Sequence, residues 1–185
     1  MNKKIVYKDY CEKDPLRYPF FKYYPDPMEN GVFVECDPPQ TCQCCRKQET
    51  LICEGPFLTD EDVSSVCPEC IANGRAAKTF NMDFCEIPSR NRVSDPEKTE
   101  ELLHRTPGYY SYNFNEWLSH CDDYCIYEKE LVFEDLKDPK LLKELKEDPE
   151  WIESGLELDD DFIQIHMFTC SHCGKHLFYI DQFFD

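Results

Sequence analysis

Residues 41–70 read TCQCCRKQETLICEGPFLTDEDVSSVCPEC, and the reading of these six cysteines decides the fold. Cys42 and Cys45 form one C-x-x-C pair and Cys67 and Cys70 a second, with 21 residues between them. A C-x-x-C turn presents two sulfurs on one side and leaves backbone N–H groups free to bond them. A tetrahedral zinc ion needs two such pairs. The spacing is slightly longer than is usual for zinc, and it points to one closed four-thiolate site. The first pair keeps an alternative, because Cys44 can replace a neighbour as the inward-facing thiol. Cys36 and Cys53 read as small buried hydrophobes.

Further along the chain a second quartet offers itself. Cys170-Ser-His-Cys173 lies between two apolar segments, DFIQIHMFTC and KHLFYIDQFF, which read as strands. This is the pattern of half a zinc ribbon, and Gly174 permits the positive φ such a knuckle needs. Its partner is expected in Cys121 and Cys125. Trp117, Leu118, Cys121, Tyr124 and Cys125 recur at three- and four-residue spacing, which predicts a helix carrying both thiols on one face. Two structural zinc ions are therefore expected. His120, His172 and His176 lie near this cluster and can substitute as ligands, but their expected place is beside the ligands or at the surface.

Two rival chemistries compete with structural zinc. A thioredoxin-like redox pair sits at a helix start within a βαβ pattern, and no such pattern surrounds CPEC. A redox couple also leaves the other cysteine pairs unexplained. Catalytic zinc keeps an open coordination position and usually employs histidine or carboxylate, whereas eight thiolates in four pairs fill two closed sites. The chain has no G-x-S-x-G, no phosphate-binding glycine loop and no H-E-x-x-H. No catalytic residue is assigned; the acid pairs, such as Asp122/Asp123 and Asp159–Asp161, carry little information in so acidic a chain.

The remaining elements follow from local signals. GVFVEC and TLICEGPF read as two strands with the first knuckle at their hairpin tip. Thr59 and Asp62 resemble a capping box opening a short helix through Val66. CPECIANG is helical after Cys67 and stops at Asn73-Gly74. Asp95 caps a helix that begins at Pro96 and runs to about Arg105, and Asp138 caps another with Leu141, Leu142 and Leu145 as its buried stripe. The expected fold class is α+β: small zinc-ribbon or knuckle modules packed with several helices. Residues 1–19 form an N-terminal arm, 20–88 an N-terminal zinc module, and 89–185 a helical segment closed by the C-terminal ribbon hairpin. The last two can form one domain.

Composition bounds the function. With 41% hydrophobic residues, 13 Phe and 11 Tyr, the chain is expected to fold around a substantial core. The N-terminal MNKKIVYKDYCEKDPL lacks the apolar run of a secretory signal. No apolar stretch is long enough to span a bilayer, so a cytoplasmic location is expected. Clustered thiols in a reducing cytosol bind metal more often than they pair as disulfides. The net charge is −18, and residues 128–161, with 14 acidic residues against 5 lysines, carry half of it. Such a chain repels phosphates and anionic membranes and attracts basic proteins. Direct nucleic-acid binding is therefore not expected.

FKYYPDPMENGVFV, CQCC, EGPF, VCPECIANGRAAKTF, RTPGYYSYNFNEWLSHCDDYC and FTCSHCGKHLFYID occur in an order that resembles the CbrC family of bacterial cytoplasmic proteins. The resemblance spans roughly residues 20 to 180 and is weakest over 128–161. It implies a link to tolerance of, or immunity against, a bacteriocin-type toxin, and it implies no enzymatic activity. The expected function is that of a zinc-stabilised acidic protein binding a basic partner, with a toxin domain as the candidate the resemblance implies. A cysteine- or metal-dependent redox enzyme and a nucleic-acid-associated zinc ribbon are the alternatives.

Overall fold

The computed structural model describes residues 18–113, 115–157 and 163–183. Most of the expected N-terminal arm, and the acids Asp159, Asp160 and Asp161, lie outside the described residues.

The chain opens with aromatic residues that go straight into the core: Phe21, Tyr23 and Tyr24 are buried. Strands β1 (Phe33–Thr41) and β2 (Gln48–Cys53) form the expected hairpin. They pair antiparallel from Phe33↔Cys53 to Thr41↔Gln48, with an irregularity between Glu35 and Gln40. Two short helices follow, α1 (Pro68–Ala72) and α2 (Arg75–Phe80). Gly74, at φ 71°, is the left-handed residue between them, so the expected stop at Asn73-Gly74 is followed at once by a new helix. Helix α3 (Pro96–Arg105) starts as its sequence dictates: the Asp95 carboxylate accepts from the Glu97 N–H at 2.9 Å.

The segment 59–66 is not helical. The Thr59 hydroxyl donates to the Phe80 carbonyl at 2.7 Å, and Gln43 Oε1 accepts from the Ser64 and Ser65 amides at 2.6 and 2.9 Å. Thr59 Oγ1 still accepts from the Glu61 N–H at 3.2 Å, but the Ser64 and Ser65 amides bond to Gln43 instead of continuing a helix.

The largest departure lies at 117–125, where a hairpin replaces the expected helix. Strands β3 (Ser119–His120) and β4 (Asp123–Tyr124) pair through a two-residue turn at Cys121 and Asp122, both at φ 54°. Left-handed φ at both central residues is the signature of the hairpin turn whose twist suits antiparallel strands. The apolar residues flank this turn, so their spacing mimics helical periodicity.

Strands β5 (Ile126–Glu130), β6 (Ile163–Thr169) and β7 (His176–Gln182) form a three-stranded antiparallel sheet with β6 in the middle. Between β5 and β6 come α4 (Pro139–Lys146), capped by Asp138 as expected, and α5 (Pro149–Ser154), which the sequence reading missed. The fold is a mixture of small sheets with few, short helices, the longest described one having ten residues. The main core draws on both halves of the chain. At its centre Tyr109 stacks on Tyr127 at 4.4 Å, with Trp117 and Phe168 edge-on at 5.6 Å. A smaller core of Leu131, Leu145, Trp151, Ile165 and Phe178 seats α4 and α5 on the sheet.

Candidate metal centres

The first centre is built at the tip of the β1–β2 hairpin. Cys42 N–H donates to the Lys47 carbonyl at 2.9 Å, and Arg46 N–H returns to the Cys42 carbonyl at 2.9 Å. This tight turn, with Arg46 at φ 65°, puts Cys42 and Cys45 on the same side. The second pair is delivered by the chain after β2. Cys53 and Val66 exchange backbone hydrogen bonds at 2.8 and 2.9 Å, and Cys67 follows directly as the residue before α1.

The sulfurs of Cys42, Cys45, Cys67 and Cys70 lie within 4.8 Å of one another. Zinc with thiolate arms of about 2.3 Å spaces its sulfurs about 3.8 Å apart. Cys45 Sγ and Cys67 Sγ stand at 3.9 Å. The Cys67 N–H donates to Cys42 Sγ at 3.3 Å. Burial raises the Cys42 thiol's pKa, but the amides of Cys45, Cys67 and Cys44 outweigh it and draw it below its usual value. Burial pushes Cys67 up to about 12 and carries Cys70 higher still. Four thiolates this close would repel one another, and a divalent cation held among them would offset that repulsion. Cys44 is outside the group; its sulfur lies 3.7 Å from the Thr79 hydroxyl. Cys53 and Cys36 are buried in the core, and desolvation lifts the Cys53 thiol to about 12.

The second centre repeats the knuckle between β6 and β7. Cys170 N–H donates to the Lys175 carbonyl at 2.9 Å, and Gly174 N–H donates back to the Cys170 carbonyl at 2.8 Å. Facing it is the β3–β4 turn. The donors brought within 4.8 Å of one another are His120, Cys121, Cys170 and Cys173. His120 Nδ1 lies 3.2 Å from Cys121 Sγ and 3.4 Å from Cys173 Sγ. Three thiolates and one imidazole are a recognised structural zinc set.

Cys125, expected as a ligand, is outside this group. It is fully buried, its amide bonds the Leu118 carbonyl at 3.0 Å, and its own carbonyl accepts from Trp117 Nε1 at 2.8 Å. On a helix, positions 121 and 125 would share a face. Across a hairpin turn they do not, and the place falls to His120. Among the described residues every cysteine is a free thiol.

One residue beside this centre had no distinguishing signal in the sequence. Asp123 is 5% exposed and binds four side chains. Tyr23 donates to Oδ1 at 3.0 Å, His172 Nε2 lies 3.0 Å from Oδ2, and Lys22 and Lys98 approach Oδ2 at 3.3 and 3.5 Å. Burial pushes its carboxyl up, but His172, Lys22, Tyr23 and Lys98 together hold it below the usual range. The adjacent Asp122 accepts from Ser94 N–H at 2.8 Å and from the Ser94 hydroxyl, and its carbonyl accepts from Lys98 at 2.8 Å. The β3–β4 turn is thus fixed from three directions, by residues 22–23, by 94–98 and by the knuckle itself.

No helix among the described residues is long and apolar enough to cross a membrane. A family model described as "Uncharacterised protein family (UPF0167)" matches residues 18–182. The chain is 30% identical over 179 residues to "UPF0167 protein Mb2317" of Mycobacterium bovis, covering 90% of this chain and 95% of that protein. It is also 30% identical over 174 residues to "UPF0167 protein PA1536" of Pseudomonas aeruginosa, covering 88% and 96%. No solved structure matches.

Proposed function

The chain belongs to the UPF0167 family, and we propose that it is a non-enzymatic interaction protein, held together by two structural zinc ions, whose acidic surface binds a basic protein. The observation that carries this reading is the completeness of both donor groups. Four protein ligands fill a tetrahedral zinc ion and leave no position for water or substrate. Thiolate-rich donor sets also favour zinc over harder cations.

The binding surface is assigned to the segment around α4 and α5. It carries much of the chain's negative charge, and Val132, Phe133 and Ile152 stand exposed beside it. Acid around a few apolar anchors suits a basic partner, with charge speeding encounter and the apolar groups slowing release. The resemblance to the CbrC family makes the basic domain of a bacteriocin-type toxin the first candidate, met in the cytoplasm.

Native mass spectrometry of protein purified without chelator is expected to show two zinc ions per chain. Calorimetry with a purified basic nuclease-toxin domain is expected to show binding that weakens as salt is raised, and that weakens further in Glu147→Gln/Glu153→Gln. Absence of zinc would remove the structural half of the reading. Absence of binding to basic domains, or binding insensitive to salt, would remove the interaction half.

A further inference from the structure

The two candidate centres differ in their access to solvent. In the first, Cys42, Cys67 and Cys70 are each 3% exposed or less and belong to the main core, and Cys45 is half-buried. In the second, Cys121 and Cys173 are both exposed, His120 is half-buried and Cys170 is buried.

The exposed pair also converges. Cys121 sits in the β3–β4 turn and Cys173 in the knuckle between β6 and β7, and their sulfurs lie within 4.8 Å of each other. The His120 imidazole touches both, with Nδ1 at 3.2 and 3.4 Å. Cys170 lies beneath, its sulfur 3.8 Å from the His120 carbonyl. The knuckle is open beside Cys173, since a Cβ on Gly174 would meet nothing within 4 Å. A small molecule arriving from solvent therefore meets two sulfurs from different loops before it reaches Cys170. A disulfide holds its sulfurs at about 2 Å, so these two must close by less than about 3 Å, and both sit in turns rather than inside strands.

Oxidants attack thiolate sulfur, and accessible thiolates react ahead of buried ones. A metal ion keeps its sulfur ligands in that deprotonated form. The surroundings select the oxidant. Asp122 stands exposed next to Cys121, and the chain carries a net charge of −18, which disfavours an anionic oxidant such as glutathione disulfide. Hydrogen peroxide is small and uncharged.

We propose that Cys121 and Cys173 form an oxidation site, at which hydrogen peroxide joins them in a disulfide and the second zinc ion is released while the first centre stays loaded. The release rests on the zinc reading above, and the disulfide rests on the sulfur geometry alone. One thiolate attacks peroxide: an S–O bond forms, the O–O bond breaks and hydroxide leaves. The other thiolate attacks the resulting sulfenic sulfur: the S–S bond forms, the S–O bond breaks and a second hydroxide leaves. Two protons from solvent convert both hydroxides to water. The two thiolates have then lost two electrons and one peroxide has gained them. Only Cys170 and His120 remain as donors, too few for a structural ion. The turn and the knuckle stay joined, now by a covalent bond.

The test treats the full chain, purified without chelator, with one equivalent of hydrogen peroxide. A chromophoric chelator is expected to read one zinc ion released per chain, with the first centre releasing its ion about tenfold more slowly. Peptide mapping by mass spectrometry after alkylation is expected to find Cys121 joined to Cys173. Dithiothreitol and added zinc should restore both thiols and the ion. Cys44→Ala, which removes the spare thiol outside the first donor group, should leave all of this unchanged. No disulfide at these residues, a bond between Cys170 and Cys173 instead, equal release from both centres, or release that disappears in Cys44→Ala would each overturn the proposal. Zinc-free protein would overturn the zinc reading, and there the Cys121–Cys173 disulfide, formed or not, decides the oxidation site by itself.

Discussion

Arg46 and Gly174 occupy the same place in two separate loops. Each follows the second cysteine of its pair, each has left-handed φ, 65° and 73°, and each donates its N–H to the carbonyl of the first cysteine. The two knuckles are one backbone solution reached twice, with glycine in one and a strained arginine in the other.

The equivalence gives opposite expectations for two substitutions. A Cβ on Gly174 would meet nothing within 4 Å, so only its φ opposes a side chain. Gly174→Ala is expected to cost about 1 kcal/mol in thermal unfolding, and Arg46→Gly to be neutral or stabilising by up to about 1 kcal/mol. Equal destabilisation by both would show that the Arg46 side chain, not its backbone, matters.

Exchanging the ligand assignments tests the second centre. His120→Ala is expected to leave one zinc ion per chain by native mass spectrometry. Cys125→Ala is expected to keep two and to lose about 1–2 kcal/mol of stability from the buried contact removed. The reverse pattern would restore Cys125 as the ligand.

Asp123→Asn keeps the shape and deletes the charge that Lys22, Lys98 and His172 surround. The lysines are partly exposed, so the loss falls below that of a fully buried pair, at about 2 kcal/mol. Chemical denaturation of the zinc-loaded protein measures it. An unchanged midpoint would mean that the network adds nothing to stability.

His166 predicts the acid limb of the stability profile. It is fully buried among Tyr109, Tyr127 and Tyr179, with Nδ1 3.2 Å from the Tyr127 hydroxyl and no partner for Nε2 among the described residues. Burial lowers its pKa from 6.5 to about 4, against a smaller opposing pull from Asp181. The unfolded chain therefore takes up this proton first. The contribution of neutral His166 is complete above pH 6.5 and is lost as pH falls toward about 4. The shift corresponds to about 3 kcal/mol. The difference in melting temperature between the parent and His166→Phe should therefore move in the variant's favour over that window. A constant difference would show that the imidazole is not buried neutral.

What could be read from the sequence was whatever local chemistry decides. The grouping of the first four candidate ligands followed from spacing, because a C-x-x-C turn is made by its own residues. Asp95 and Asp138 announced their helices because a cap bonds an amide two residues away. The reading failed where distant partners intervene. The run from Trp117 to Cys125 fits helical periodicity, but Ser94 and Lys98 hold Asp122 in a turn whose two left-handed residues leave no mark in a hydrophobic pattern. His120, which the sequence offered only as a substitute ligand, enters the donor group through that turn. Asp123 was hidden for another reason: in so acidic a chain, a carboxylate's importance depends on what surrounds it.

The two centres also differ in how much chain must exist before each can close. The first needs nothing beyond Cys70, whereas the second waits for Cys170 and Cys173, near the end of the described chain. Closing a shorter loop costs less entropy, and a chain emerging from the ribosome presents its early residues first. An ion at the first site could therefore be captured while the protein is still being made. A second ion could join only after the β6–β7 hairpin appears, and the same knuckle supplies His172 to Asp123, which in turn holds Lys22 and Tyr23 of the opening aromatic segment. Loading of the second site would thus tie the turn at His120 and Cys121 to the knuckle at Cys170 and Cys173.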